Sequence, residues 1–174
     1  IRTWIDAGLS PVPIALKITS RQFQHSPIVD NVRGTLEKYN VPANQILLEL
    51  VDTYERIDRD LVTLKFNRLR DLGVTVSVDY FSQRRTSLVS FHGATSDYVV
   101  IGGSLTADVM KNSRSAAITK ALIGLAQQLG VITVAQGVQN AVQALWLKEA
   151  GCDLGQGIHF GEAIEVKSFL SAYR

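Results

Sequence analysis

The sequence predicts an α/β protein built on a parallel sheet. Two observations carry that prediction. Short apolar runs alternate with longer segments of helical periodicity along the chain. The short runs are nearly continuously apolar, as expected of strands covered by helices on both faces. Two architectures satisfy this pattern, a doubly wound open sheet and a (β/α)8 TIM-barrel-like closed one. No G-x-G-x-x-G follows the first strand, so a dinucleotide-binding sheet has no support.

Each element has its own reason. The opening "IRTWIDAGL" reads as the tail of an amphipathic helix, and the chain has no starting methionine, so we read it as a piece of a longer protein. "VPIALKI" (12–18) is strand-like. "PIVDNVRGTLEKY" (27–39) places Ile28, Val32 and Leu36 at helical spacing. "QILLELV" (45–51) is a strand. Residues 54–72 form a helix with Ile57, Leu61, Leu64 and Leu69 on one face, stopped by Gly73. Residues 74–79 and 98–101 are strands. Residues 113–129 form a small-residue helix, with Ser113 as N-cap and Gly130 as stop. "VITVA" (131–135) is a strand, 141–150 a helix ended by Gly151, 154–158 a weak strand and 167–173 a closing helix.

Bulk properties set the outer limits. The chain has 174 residues, enough for one domain with a substantial core. It is 46% hydrophobic and 20% charged, with a net charge of +2. That charge gives no reason to expect a nucleic-acid polymer as partner. No apolar run approaches the roughly 20 residues of a membrane-crossing helix. The lone cysteine, Cys152, cannot form an internal disulfide, so a reducing, cytoplasmic setting is expected.

In a barrel, chemistry gathers at the C-terminal ends of the strands. Those ends read Lys17, Glu49, Asp79, Val100 to Gly102, Gln136 and Gln156. Two acids, a lysine and two amides would converge on one mouth.

At these residues the chain resembles the EAL family, bacterial phosphodiesterases that hydrolyse cyclic di-GMP. "LLELVDT" (47–53) resembles L-x-L-E-I-T-E-S. "LRDLGVTVSVDYF" (69–81) resembles the segment ending in the family's Asp-Asp pair, and Ser87-Leu88 fits the S-L beyond it. "GLAQQLGVITVAQGVQN" (124–140) resembles the A-E-G-V-E region, and "LKEAGCDLGQGIHFGEAI" (147–164) resembles the G-C-D-x-x-Q-G region. "ALKITSRQF" (15–23) resembles V-N-[LI]-S-x-x-Q-[LF]. The resemblance implies a (β/α)8 barrel, here one domain over 1–174 that lacks the first family strand and helix. It also implies two-metal hydrolysis by Mg²⁺ or Mn²⁺ held by oxygen ligands.

Position by position, the implied chemistry is missing. The Glu-Ala-Leu segment has no counterpart in the chain. The metal-binding asparagine corresponds to Lys17. Glu49 and Asp79 remain, while the second aspartate is Tyr80 and the lysine is Val100. The aspartate two residues later is Gly102, and the glutamates of A-E-G-V-E are Gln136 and Gln139; Gln156 is kept. A protonated lysine cannot ligate Mg²⁺. We therefore read Lys17, Glu49, Asp79, Tyr80, Val100, Gln136 and Gln156 as a vestigial pocket with no catalytic residue. No metal or cofactor is expected, with Glu49 and Asp79 as remnant ligand positions. Lys17 is expected to pair with Glu49 and Asp79 in place of the metal.

Other residues have plainer readings. Arg84 and Arg85 could contact phosphate, although solvated loop arginines are commoner. His25, His92 and His159 have no metal-ligand spacing. Cys152 reads as a small apolar side chain, and Ser87 has no His/Asp partner. The expected function is a catalytically inactive regulatory domain in cyclic di-GMP signalling that acts through a protein partner. A cyclic di-GMP receptor is the alternative and a residual phosphodiesterase the third reading. An open barrel would leave strand edges that a homodimer could cover.

Overall fold

The computed structural model describes residues 1–51, 58–78 and 96–172. Asp79, Tyr80, Arg84 and Arg85 therefore lie outside the described residues. The elements follow in chain order, and their ends are set by local chemistry.

Helix α1 (Arg2–Asp6) is followed by strand β1 (Ile14–Thr19). Thr19 then starts α2 (Ser20–His25) with a reciprocal cap. Its hydroxyl accepts from the Gln22 N–H, and the Gln22 side chain accepts from the Thr19 N–H. Helix α3 (Ile28–Tyr39) ends at Asn40 in the left-handed conformation. A 3-10 turn (Ala43–Gln45) leads into β2 (Ile46–Val51). Asp58 accepts from the Asp60 and Leu61 N–H groups and starts α4 (Arg59–Asp71). The chain continues with β3 (Thr75–Val78), β4 (Tyr98–Ile101), α5 (Gly103–Asp108) and α6 (Ser113–Leu129). The N-cap of α6 is Asn112 and not Ser113: its side chain accepts from the Arg114 and Ser115 N–H groups. Then come β5 (Ile132–Gln136), α7 (Ala141–Glu149), β6 (Leu154–Gln156) and α8 (Val166–Ala172).

All described ladder pairings are parallel, and the spatial order of strands is the sequence order, β1-β2-β3-β4-β5-β6. A doubly wound sheet reverses direction at a switch point. This one never does, which selects the barrel-type architecture. The sheet also curls. Strands β2 and β5 are three spacings apart, about 14 Å in a flat sheet. Yet the side chains of Glu49 on β2 and Gln136 on β5 meet at 3.3 Å. Only a curved wall brings them together, so the six strands form a partial barrel whose concave face carries these residues.

The convex face packs on the helices. Ile18, Leu48, Leu50, Val76 and Val99 join Phe23, Val62, Phe66 and Leu69 in one buried cluster. Phe23 and Phe66 meet edge to face at 5.2 Å. A smaller cluster, Ala135, Val138 and Leu147, lies under α7. At α1, Trp4 stacks on Phe169 of α8 with ring centroids 4.9 Å apart. The edge strands depart from the expectation of burial on both faces. Leu16 on β1 is half exposed beside an open groove between α1, α3 and β2, and all of β6 is exposed. An edge strand has a sheet neighbour on one side only, so less covers it.

The strand N-termini are fastened by two similar aspartates. Asp97, just before β4, accepts from the Val76 N–H at 3.0 Å and pairs with Arg70 at 2.7 Å. Asp153, just before β6, accepts from both the N–H and the hydroxyl of Thr133 on β5, at 2.8 and 2.7 Å.

Candidate functional site

At the opposite end, three of the sequence-selected residues converge. Glu49 lies on β2, in register with Lys17 on β1 and Ser77 on β3. Neighbours in a parallel register project to the same face, so the three form one layer on the concave wall. The Glu49 carboxylate is 5% exposed, which demands compensation for its charge. The Lys17 ammonium supplies it, with Nζ 3.3 Å from Oε1. Gln136 donates its side-chain N–H to the same oxygen at 3.3 Å. The Lys17 side chain is 54% exposed, so solvent screens its half of the pair.

The loop after β5 is held by close backbone packing. Gly137 has φ +74°, and a Cβ there would lie 3.0 Å from the Gly103 Cα. On the other side, the Val138 N–H donates to the Gln156 carbonyl, and the His159 N–H donates to the Val138 carbonyl. The residue that aims its amide at Glu49 is thus followed by a glycine packed against Gly103 at the start of α5 and by Val138, which bonds to the end of β6.

The remaining positions contribute differently. Val100 is 3% exposed and apolar, and offers no ligand atom. Gln156 pairs with Gln136 in the ladder but is exposed. Asp79 and Tyr80 lie outside the described residues, as do Arg84 and Arg85. Cys152 is partly buried, with Sγ 3.4 Å from the Leu154 carbonyl. Burial pushes its thiol pKa up.

Sequence reading missed Ser77. Its hydroxyl is buried, the residue being 1% exposed, and has no hydrogen-bond partner among the described residues. Strand alternation through 74–79 could have found it, since it stands beside Glu49 on the same face.

The described donors do not suit a divalent cation. One carboxylate faces an ammonium, and the amide beside it directs N–H at the carboxylate oxygen. Among the described residues, no group of three or more His, Cys, Asp or Glu side chains is placed to hold a metal.

The fold and the strand-end site define the class, a barrel-type α/β domain with its polar centre at the C-terminal mouth of the sheet. The EAL domain profile matches residues 1–163, and the chain belongs to that family. Among curated relatives, it is 30% identical over 168 residues to the signaling protein YkoW of Bacillus subtilis, covering 97% of this chain and 21% of YkoW. It is 27% identical over 172 residues to the bifunctional diguanylate cyclase/cyclic di-GMP phosphodiesterase MucR of Pseudomonas aeruginosa, covering 99% of this chain and 25% of MucR. The chain thus spans about a quarter or less of these two relatives.

Solved structures agree in fold. The PaMucR phosphodiesterase in its c-di-GMP complex superposes with a TM-score of 0.88 at 27% identity, covering 97% of this chain and 68% of that one. The EAL domain of Mycobacterium smegmatis DcpA superposes with a TM-score of 0.90 at 23% identity, covering 99% and 78%. Among the described residues, no helix is long and apolar enough to cross a membrane.

Proposed function

We propose that this chain is a catalytically inactive EAL-type domain in bacterial cyclic di-GMP signalling, located in the cytoplasm and acting through contacts with a protein partner. The carrying observation is the environment of Glu49: an ammonium at 3.3 Å and an amide N–H on the same oxygen. Two-metal hydrolysis needs cations that clamp both the attacking and the leaving oxygen. A lysine standing among the ligand positions opposes them. The family membership and the named activities of MucR and PaMucR connect the domain to cyclic di-GMP.

A second reading is a receptor that binds cyclic di-GMP without cutting it. It is favoured by the likeness to PaMucR, solved in its c-di-GMP complex, and by the exposed Lys17 side chain at the mouth. One titration separates the readings. Cyclic di-GMP is added to the purified chain, with and without Mn²⁺, and both heat and linear product are followed. Neither heat nor product supports the interaction domain. Heat without product supports the receptor, and product overturns both in favour of a phosphodiesterase.

A further inference from the structure

We propose that the open side of the sheet is an interface between two copies of this chain, with the arm formed by residues 158–166 of each copy lying against the apolar groove beside strand β1 of the other. The interface lies away from the Glu49 centre, goes beyond the proposed function and does not rest on it.

The groove is one half of the contact. Among the described residues, β1 has a strand neighbour on one side only, so the outward N–H and C=O groups of its edge are a template for another chain. Beside that edge is a groove of about 540 Å³, walled by Ile14, Leu16, Val32, Leu36, Ile46 and Leu48. Leu16 is half exposed there, and covering it removes apolar surface from water.

The arm is the other half. Strand β6, at the opposite edge of the sheet, runs into residues 158–166. Ile158, Phe160, Ile164 and Val166 are each more than half exposed. Large apolar side chains gathered on one exposed stretch mark an interaction surface. The arm is also held at both ends. The His159 N–H donates to the Val138 carbonyl and the Phe160 N–H to the Gly157 carbonyl, while Phe169, just beyond the arm, stacks on Trp4. A surface fixed in this way loses little freedom on docking.

Charge selects a second copy as the occupant. Residues 7–29, which contain β1, carry Lys17 and Arg21 and no acid. Residues 149–166, which contain β6 and the arm, carry Glu149, Asp153, Glu162 and Glu165 and no lysine or arginine. Lys17 is engaged by Glu49. Arg21, Glu162 and Glu165 are exposed and have no ion-pair partner among the described residues. Groove against groove, or arm against arm, opposes like charges. Arm against groove opposes unlike ones. About a two-fold axis that contact is made twice, which closes the pair.

The test is sedimentation velocity of the 174-residue chain from low to high micromolar concentration. The wild type is expected to dimerise. Leu16→Asp and Phe160→Asp should each weaken the dimer at least about tenfold. A mixture of these two variants should associate more tightly than either alone, because it restores one intact arm on one intact groove. Arg21→Glu should also weaken the dimer, and adding Glu162→Lys and Glu165→Lys to it should recover part of the loss. Circular dichroism establishes which variants fold. The charge exchange uses exposed positions only and stands in if Leu16→Asp does not fold.

A monomeric wild type leaves the groove to some other occupant and overturns the proposal. A dimer that the folded variants leave unchanged places the interface elsewhere and overturns it too, as does a mixture no tighter than its components. None of the substituted residues belongs to the Glu49 centre, so failure here leaves the inactive reading to be decided by the cyclic di-GMP titration.

Discussion

Glu49 and Gln136 are 87 positions apart in the chain, yet the amide nitrogen of one stands 3.3 Å from a carboxylate oxygen of the other. Their strands are not neighbours in the sheet. The contact therefore reports the curvature of the wall as well as the chemistry of the site, and mutations here should read out both.

Replacing Gln136 with alanine removes one of the two groups that, among the described residues, act on a buried carboxylate. A loss of about 1.5–3 kcal/mol is expected, as for hydrogen bonds to charged groups. Replacing Lys17 with methionine should cost only about 1 kcal/mol, because half of that side chain is in solvent. Urea unfolding of each variant and of the pair measures both. Because the two residues share one oxygen, the losses should not simply add.

Acid should expose the Asp153 fastening. Hydrogen bonds from the Thr133 backbone and hydroxyl hold the Asp153 carboxyl below its ordinary value. A carboxyl lowered on folding stabilises the fold at pH values above its unfolded value, and that stabilisation is lost as pH falls through the folded value. Asp153→Asn should therefore flatten the acid side of a stability-against-pH curve measured by thermal unfolding. Its effect should be largest near neutral pH and smallest in acid. An unchanged acid limb would count against this role.

Cys152 should react slowly. Burial is the largest influence raising its thiol pKa, and the nearby Asp153 charge acts in the same direction, against hydrogen bonds that lower it. Only the thiolate is nucleophilic. Reaction with a disulfide reagent at neutral pH should be at least about tenfold slower in the native chain than in denaturant. Equal rates would show that the sulfur is open.

Gly137 should not tolerate a side chain. Its φ of +74° and the 3.0 Å approach to the Gly103 Cα oppose a Cβ by strain and by contact. Gly137→Ala is expected to lower stability by about 1–3 kcal/mol. Gly124, on a regular helix with open space around it, serves as the control: Gly124→Ala should be neutral or stabilising.

The parts of the fold written in local pattern were legible. Strands β2 and β4 and helices α3 and α6 follow from apolar spacing and from stops such as Gly130. Helix α2 was overlooked, although Thr19 and Gln22 spell a capping box, because its six residues are too few to show a period. The sequence pattern puts the N-cap of α6 at Ser113, one residue past Asn112, a difference that side-chain hydrogen bonding decides. The meeting of Lys17 with Glu49 was written in the family motifs, where Lys17 stands at the asparagine position and Glu49 is kept, whereas the Gln136 contact depends on sheet curvature, which no local window contains. Ser77 escaped because an isolated serine in an apolar run looks like a weak strand former and nothing more.

The two aspartates that fasten β3 to β4 and β5 to β6 act at the strand entrances, while Lys17, Glu49 and Gln136 stand near the exits. Such a layout separates inheritance into two accounts. A change at the exits alters the polar centre while the fastenings at the entrances keep their contacts. The polar centre can therefore be revised by substitution without disturbing the contacts that tie the strand entrances together.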